Sequence, residues 1–352
     1  MKISLLTIWH CSNYGAELQT YATVRALKQL GHEVEVIDFR LTEKYPKTKK
    51  EKIAEFINSL TLSDCKFNRF WKKFIRNKTT HYRNLKELKN NPPKSDCYLV
   101  GSDQVWNEDI TKRKADAYFL NFGDENVLRV SYSSSIGVDY WNGSEELTKI
   151  VKRQFDKFKT ISCREKTGCK VLRDTFGKEI TNVLDPTLLH DSYPELTGKT
   201  KQRRTLVFYP LTTYPELESF SKGLANRLGL KFVNNNQRTM LTKHIAWNRR
   251  SVQEWVKNIA EAEFVVTHSF HGLAFSIIYR KQFIIVKTKS SNRQTRLTDL
   301  LTELGLMDRF FNTCEEAEMS KVWEKPIDYD SVYLKLEKMR KISYDYLKEA
   351  LK

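Results

Sequence analysis

The sequence predicts an α/β protein with two Rossmann-like, doubly wound domains, and three features of the 352-residue chain lead to this prediction. Short apolar runs typical of buried strands alternate with longer segments of helical periodicity. The alternation pauses near residue 195 and starts again near residue 200. The chain is also longer than one hydrophobic core usually serves, which favours two domains.

The first domain is expected over residues 1–195 and opens with a βαβ unit. Residues 2–8 form an apolar run, and a helical pattern follows the turn at Asn13 and ends at Gly31. The second strand, 32–39, places Asp38 at its end, but the glycine-rich dinucleotide fingerprint is missing. Further strands are expected at 97–100, 129–137 and 161–163.

The second domain is expected over residues 200–325, with strands at 205–210, 231–233, 264–266 and 283–286. A long amphipathic helix over 331–352 is expected to pack back on the first domain.

A basic insertion interrupts the first domain at residues 41–95. It holds fifteen Lys or Arg and five Asp or Glu, so ten of the seventeen net positive charges lie there. Two helices are predicted, over 50–60 and 67–88. Their aromatic stripe is consistent with packing, but with the lysines beside it the stripe could also lie on an anionic membrane.

Composition narrows the function classes. No apolar run approaches the ~20 residues of a membrane span. The N-terminus has the character of a first strand instead of a secretion signal, so a cytoplasmic protein is expected. The six cysteines are scattered without C-x-x-C pairs, which favours reduced packing residues and predicts no metal site.

The pattern over residues 263–286 predicts a strand, a tight turn, a helix and a second strand, in that order. Its turn carries His268, Ser269, His271 and Gly272. At the carboxyl edge of a parallel sheet, helix N-termini favour anions because backbone N–H groups and the helix dipole point there. This turn therefore predicts a site for an anionic ligand, centred on His271.

Six segments together resemble the polysaccharide pyruvyl transferase family, and they occur in the family's order between Met1 and about Arg309. The segments are the N-terminal block with CSNYGAELQ, GSDQVWN at 101–107, the serine-rich 131–137, SCRE at 162–165, LDPTLL at 184–189, and SFHG at 269–272. The insertion and the C-terminal helix match no family motif.

This resemblance implies a fold like that of GT-B glycosyltransferases, with two domains facing across a cleft that holds the site. It implies transfer of the enolpyruvyl skeleton of phosphoenolpyruvate to a sugar, as a cyclic ketal, with release of phosphate. The acceptor would be a cell-surface polysaccharide or its precursor linked to a lipid such as undecaprenyl diphosphate. No cofactor is expected, since phosphoenolpyruvate is a co-substrate.

The resemblance also implies residue roles. His271 is the candidate general acid, because imidazole has an ordinary pKa of about 6.5 and donor anions would raise it. Arg164 would clamp the donor, unless it forms a salt bridge to its acidic neighbours. Ser269 stands where some relatives have arginine. The donor charge is then expected to be met by Arg296, or by Arg293 or His268, with Ser269 and Gly272 also in the donor site.

The acceptor sugar is expected on the first domain, where Asp103 is a possible base or merely a helix cap. Hydrogen bonds and a stacking face would come from the neighbouring turn residues Asn13, Tyr14, Gly15, Gln104 and Trp106.

Two other functions remain open at this point. A GT-B glycosyltransferase would bind a nucleotide sugar and not phosphoenolpyruvate. A nucleic-acid binder would use the basic insertion, but no recognised binding motif accompanies it, so no nucleic acid is expected. The insertion could also hold the enzyme at the inner face of the membrane.

Overall fold

The fold is described from a computed structural model, which describes residues 1–41, 57, 61–242, 245–288 and 294–352. Contacts divide the chain into two compact units. The first unit comprises Met1–Glu43, Trp71–Leu189 and Glu337–Lys352, and the second unit comprises Lys44–Phe70 and His190–Leu336.

A parallel five-stranded sheet forms the centre of the first unit, in the order β3-β2-β1-β4-β5. Its strands are β1 Lys2–Leu6, β2 Glu33–Asp38, β3 Lys78–His81, β4 Cys97–Val100 and β5 Leu128–Ser131. A short parallel pair continues beyond β5 through a bridge between Val130 and Thr160: β6 Ile161–Cys163 and β7 Ile180–Asn182. Strands 1, 4 and 5 are almost wholly buried, as expected where helices cover both faces of a parallel sheet.

Helices connect these strands. Those described before residue 190 are α1 Tyr14–Gln29, α2 Leu62–Phe74, α3 Leu85–Asn90, α4 Glu108–Thr111, α5 Ala115–Tyr118, α6 Glu145–Phe155 and α7 Lys166–Phe176. Single 3₁₀ turns occupy Lys112–Lys114 and Pro186–Leu189.

The second unit has its own parallel sheet, in the order β14-β13-β12-β8-β9. Its strands are β8 Thr205–Tyr209, β9 Lys231–Asn234, β12 Phe264–Thr267, β13 Gln282–Val286 and β14 Phe310–Phe311. An antiparallel hairpin separates β9 from β12: β10 Arg238–Thr242 and β11 Ile245–Arg249.

The helices described after residue 190 are α8 Pro194–Thr197, α9 Pro215–Arg227, α10 Val252–Glu261, α11 Phe270–Ile278, α12 Thr295–Leu304, α13 Cys314–Ser320 and α14 Tyr329–Ala350. Two 3₁₀ turns lie at Met307–Arg309 and Val322–Glu324. The last part of α14 belongs to the first unit, where the Arg340 Nε donates to the Leu188 carbonyl at 2.7 Å and the Tyr346 hydroxyl donates to the Ser131 carbonyl at 2.8 Å.

Each sheet has a point where the strand order reverses. In the first unit it lies between β1 and β4, and in the second between β8 and β12. Crevices that bind ligands in such sheets open at the carboxyl ends of the strands on either side of this point. The two carboxyl edges are therefore where the functional residues are sought.

Two features of the sheets and the basic insertion differ from the predictions. The helix expected over 67–88 is two helices separated by β3, and the hairpin β10–β11 was not predicted. The helix expected over 50–60 lies almost wholly outside the described residues. The aromatic stripe of α2 is buried at Phe67, Phe70 and Trp71, so packing and not a membrane contact accounts for it.

No helix in the described part of the chain is long and apolar enough to cross a bilayer.

Candidate functional site

The carboxyl edge of the first sheet carries unusual backbone conformations. His10 and Ser12 follow β1, Asp103 follows β4, and Ser133 follows β5, with φ angles of 57°, 54°, 75° and 58°. Non-glycine residues rarely adopt this left-handed region, and such strain concentrates where a fold shapes a site. The first unit thus has a specialised edge at its topological switch point.

Arg164 lies at this edge, in the turn between β6 and α7, and is held between two carboxylates. Its Nε donates to Glu165 Oε1 at 2.9 Å and its Nη1 donates to Asp185 Oδ2 at 3.0 Å, with only 2% of its side chain exposed. Burial lowers the pKa of Arg164, but the charges of Glu165, Asp185 and Asp103 outweigh it and raise the pKa above the ordinary value.

This geometry favours the alternative in which Arg164 is held by salt bridges, and the clamp on the donor stays a prediction. A guanidinium already paired with two buried carboxylates brings no net positive charge to its surroundings. Its salt bridges to Glu165 and Asp185 instead hold two turns of the edge together, which was the other reading of the sequence.

The same network extends to serine and threonine side chains that the sequence reasoning gave no role. The Ser135 hydroxyl donates to Glu165 Oε1 at 2.7 Å, and the Ser102 hydroxyl donates to Asp185 Oδ2 at 2.9 Å. The Thr187 hydroxyl donates to Asp185 Oδ1 at 2.6 Å. Each of these residues lies in one of the family-like segments, which is the sequence feature that could have identified it. Four such segments therefore meet in one buried polar cluster.

Asp103 lies beside this cluster and keeps part of its surface accessible. Its Oδ1 accepts a hydrogen bond from the Gln104 backbone N–H at 2.8 Å, and its backbone pairs with Ser134 in a short bridge. It does not cap a helix through its side chain, because the cap of α4 is Asn107. The carboxylate remains a candidate base.

Gln104 is positioned closely against Gly137. A Cβ at Gly137, whose φ is +72°, would lie 2.3 Å from Gln104 Oε1. Among the residues that the structure describes, that buried oxygen has no hydrogen-bond partner. It is therefore suited to accept a hydrogen bond from a ligand hydroxyl.

The other residues expected to bind the acceptor have structural roles instead. Trp106 and Tyr14 are buried in the core, and the Trp106 Nε1 donates to the Tyr118 carbonyl at 3.0 Å. Asn13 caps α1 by accepting from the Gly15 N–H at 2.9 Å. The expected stacking face on Trp106 is therefore wrong, because an indole enclosed by Phe119 and Phe155 has no open face for a sugar.

Asp38 ends β2, where dinucleotide-binding folds present an acid to a ribose. Here its carboxylate accepts hydrogen bonds from Arg40 Nε and Lys78 Nζ, each at 2.7 Å. Although burial opposes it, these hydrogen bonds lower the pKa of Asp38 well below its ordinary value. The carboxylate is committed within the protein, which argues against a ribose contact.

At the carboxyl edge of the second sheet, β12 passes into α11 through a tight corner. Ser269 is the N-cap, and its hydroxyl accepts from the Gly272 N–H at 3.4 Å. A Cβ at Gly272 would lie 2.6 Å from the Thr267 hydroxyl oxygen, so only glycine permits this approach of helix to strand. The corner orients the first turn of α11 rigidly.

His271 is the second residue of α11, with 7% of its surface exposed. The first turn of a helix carries the positive end of the dipole and backbone N–H groups that lack helical partners. An imidazole and an anion-attracting helix end therefore occupy the same place at the switch point.

His268, by contrast, cannot supply positive charge at neutral pH. Its Nε2 accepts a hydrogen bond from the Leu211 N–H at 3.1 Å, and burial lowers its pKa to about 4. The imidazole is therefore neutral at pH 7, and the expectation that His268 provides donor charge is wrong.

Arg296 lies in the first turn of α12, the helix that follows β13 along the same edge. Helix α12 packs against α11, which carries His271. The guanidinium thus stays a candidate for the donor's charge. Arg293 lies outside the described residues.

Sequence reasoning missed a further cationic group in the second unit. Lys66, Arg249 and Arg250 line a cavity of about 250 Å³ together with one carboxylate, Glu254. The adjacent arginines gave no recognisable motif, and only the fold of the hairpin brings Lys66 to them.

Comparisons with solved structures show the fold. A putative UDP-N-acetylglucosamine 2-epimerase from Listeria monocytogenes aligns with a TM-score of 0.53 at 11% identity, over 100% of this chain and 96% of that one. The UDP-GlcNAc 2-epimerase from Neisseria meningitidis, bound to UDP-GlcNAc, aligns with a TM-score of 0.50 at 10% identity. The alignment covers 100% of this chain and 99% of that one. An α-glucosyltransferase in complex with UDP aligns with a TM-score of 0.50 at 10% identity, over 99% of this chain and 95% of that one. The predicted α/β class of two Rossmann-like domains, GT-B-like, is confirmed.

Comparison of the sequence gives a more specific result. No curated protein matches the chain. The model of the family described as polysaccharide pyruvyl transferase matches residues 13–290, which is well over half of the chain. The six segments noted above begin and end close to these limits. The chain therefore belongs to the polysaccharide pyruvyl transferase family.

Proposed function

We propose that this transferase moves the three-carbon skeleton of phosphoenolpyruvate onto a sugar, forms a pyruvate ketal and releases phosphate. The observation that carries the proposal is the corner at His271: an imidazole in the first turn of a helix, at the switch point of a sheet that also has a cation-lined cavity near the end of β9. A donor with a phosphate and a carboxylate needs this combination of charge and acid.

On the donor side, α11 begins directly after β12, and α12 follows the adjacent strand β13 along the chain and packs against α11. Their dipoles attract the donor's anionic groups, and Arg296 adds a full positive charge. Ser269 and Gly272 shape the corner that brings the enol ester to His271.

The chemistry begins with protonation of the donor's methylene carbon by His271, which makes the neighbouring carbon electrophilic. A sugar hydroxyl attacks that carbon and gives up its proton, and a C–O bond forms. The C–O bond to phosphate then breaks, and a second hydroxyl closes the ketal. His271 gives one proton to the new methyl group; of the two protons that the hydroxyls release, one restores His271 and the other leaves with phosphate. The gain of hydrogen at one carbon balances the gain of oxygen at its neighbour, so the reaction involves no net oxidation or reduction.

On the acceptor side, the exposed part of Asp103 would take the proton of the attacking hydroxyl, and the unsatisfied Gln104 oxygen would orient the sugar. Arg164 serves as a positioning residue, because its two ion pairs hold the turns that carry Asp103's neighbours. We propose a cell-surface polysaccharide or its lipid-linked precursor as the acceptor, with the cytoplasmic face of the membrane as the place of reaction.

The test is to incubate the protein with phosphoenolpyruvate and a panel of galactosides, glucosides and mannosides. We expect phosphate release coupled to a mass gain of one pyruvyl unit less water on one acceptor. A parallel set with uridine and guanosine diphosphate sugars examines the glycosyltransferase alternative. Sugar transfer from a nucleotide, with no release of phosphate from phosphoenolpyruvate, would overturn the proposal.

A further inference from the structure

The cavity bounded by Lys66, Arg249 and Arg250 lies on the same edge of the same sheet as His271. The Arg250 guanidinium donates to the carbonyl of Asn234, the last residue of β9, with both Nε and Nη2 at 3.3 Å. Strands 12, 8 and 9 are consecutive neighbours, so the ends of β12 and β9 are about 10 Å apart at the usual strand spacing.

The turn after β8 connects the two places. The Leu211 N–H donates to His268, and the Pro210 carbonyl accepts from Asn236 Nδ2 at 2.7 Å. The turn after β8 is therefore bonded both to the residue that precedes the His271 corner and to the segment that follows β9, within the second unit.

The walls of the cavity are fixed by contacts within the protein. The Arg249 guanidinium lies 3.9 Å from the centroid of the Phe67 ring. Lys66 Nζ donates to the Arg249 carbonyl at 3.0 Å and to Glu254 Oε2 at 3.3 Å. Glu254 is in turn engaged in the capping box of α10, where it accepts from the Ser251 N–H at 2.6 Å.

Among the described residues, three cations and one committed carboxylate line the cavity, so these side chains give it a net positive charge. Like charges held this close repel each other, and a multivalent anion would relieve that repulsion. Polar groups accompany the charge: Thr239 and Asn248 also line the cavity. The buried Asn248 Oδ1 has no hydrogen-bond partner among the described residues. Such an oxygen accepts from a hydroxyl and not from an anion.

We propose that this cavity binds the phosphate of a phosphorylated sugar, with the cations on the phosphate and Asn248 on a sugar hydroxyl. The inference rests on the proposed function, because it gives the enzyme an acceptor that carries its own phosphate ester. The reacting hydroxyls would then lie toward His271, which follows β12 on the same sheet edge.

The experiment measures binding without turnover. The probes are hexose 1-phosphate, inorganic pyrophosphate, the neutral hexose and phosphoenolpyruvate, each titrated calorimetrically into the wild-type protein and Arg250→Gln. We expect hexose 1-phosphate to bind the wild type and to lose at least about tenfold in affinity in the variant, with the neutral hexose not bound.

The matched control is Arg204→Gln, the same substitution on an exposed arginine at the amino edge of the same sheet, which should bind as the wild type does. Equal affinity for hexose 1-phosphate in the wild type and Arg250→Gln, or no saturable binding to either, would overturn the proposal. A melting curve for each variant checks that it is folded.

Two further arms assign the source of the phosphate and the role of Asn248. If Arg250→Gln lowers the affinity for hexose 1-phosphate but not for phosphoenolpyruvate, the site serves the acceptor. If the affinity for phosphoenolpyruvate falls instead, the acceptor assignment is wrong. Asn248→Ala should weaken hexose 1-phosphate and leave pyrophosphate unchanged, and equal loss of both would contradict the hydroxyl contact. Because binding is read directly, the result stands whether or not ketal formation is found.

Discussion

The two carboxyl edges of this protein are built from similar topology but opposite chemistry. In the first unit, the edge presents Glu165 and Asp185 around Arg164, and each of these charged groups is paired with one of opposite sign. In the second unit, the helix that carries His271 begins after β12, and a cation-lined cavity lies near the end of β9. The first edge is a closed network, and the second is arranged to receive an anion.

The difference teaches which family-like segments hold structure and which carry chemistry. A buried ion pair is costly to break, because removal of one partner leaves an uncompensated buried charge. The segments that meet at Arg164 therefore fix the shape of the first unit's edge. The two groups that we propose as acid and base, His271 and Asp103, lie outside this network.

The largest effect is expected when the proposed general acid of the second edge is removed. Loss of the general acid in His271→Gln should reduce kcat for ketal formation by about a thousandfold, within the range that acid–base catalysis supplies. Phosphate release from phosphoenolpyruvate is the measurement. His32→Gln, at the amino edge of the other sheet, should retain full activity. A His271→Gln enzyme with wild-type kcat would remove the imidazole from the mechanism.

The closed network of the first edge is tested through stability. Arg164→Gln leaves the buried carboxylates of Glu165 and Asp185 without their cation, which should lower the free energy of unfolding by about 3–5 kcal/mol. Urea unfolding followed by tryptophan fluorescence measures this change. Arg153→Gln, on the exposed face of α6, should change it by less than about 0.5 kcal/mol. Unchanged stability together with a raised KM for phosphoenolpyruvate would instead restore Arg164 to the donor site.

The part of the first edge that lies outside the network is tested by Asp103→Asn. Asparagine tolerates the left-handed conformation at φ 75°, so the fold should be kept while the base is lost. We expect kcat to fall by about a hundredfold. Circular dichroism and a melting curve monitor the fold. If turnover stays near that of the wild type, Asp103 is not the base.

The smallest effect is a dependence of stability on pH. Because the pKa of His268 falls from 6.5 to about 4 on folding, the unfolded chain binds the proton more tightly between these values. Neutral His268 therefore contributes to the free energy of unfolding, fully above pH 6.5 and less and less as the pH falls toward 4. The loss between pH 7 and pH 5 is about 2 kcal/mol. Urea midpoints at both values measure it. His268→Gln can still accept the Leu211 N–H but does not titrate, so its loss should be smaller; parallel losses would contradict the assignment.

Much of the fold could be predicted from the sequence, because parallel strands and their helices have strong local patterns. Apolar runs such as Phe264–Thr267 and the capping residue Asn13 could be recognised without a structure. Strand β3, with its polar sequence KTTH, could not, because only pairing with β2 makes it a strand. The same holds for the hairpin β10–β11, whose residues carry no clear alternation.

For the site, the sequence by itself determined the residue types at each strand end: an imidazole after β12, a carboxylate after β4, and serine-rich turns between. Local chemistry and chain order suffice for that. Only the tertiary structure decided which of them are committed to partners, since Arg164, Trp106 and His268 differ from an available group solely by what encloses them. It also brought Lys66 to Arg249, residues distant in the chain, because charge clusters of this kind depend on long-range packing that no local pattern encodes.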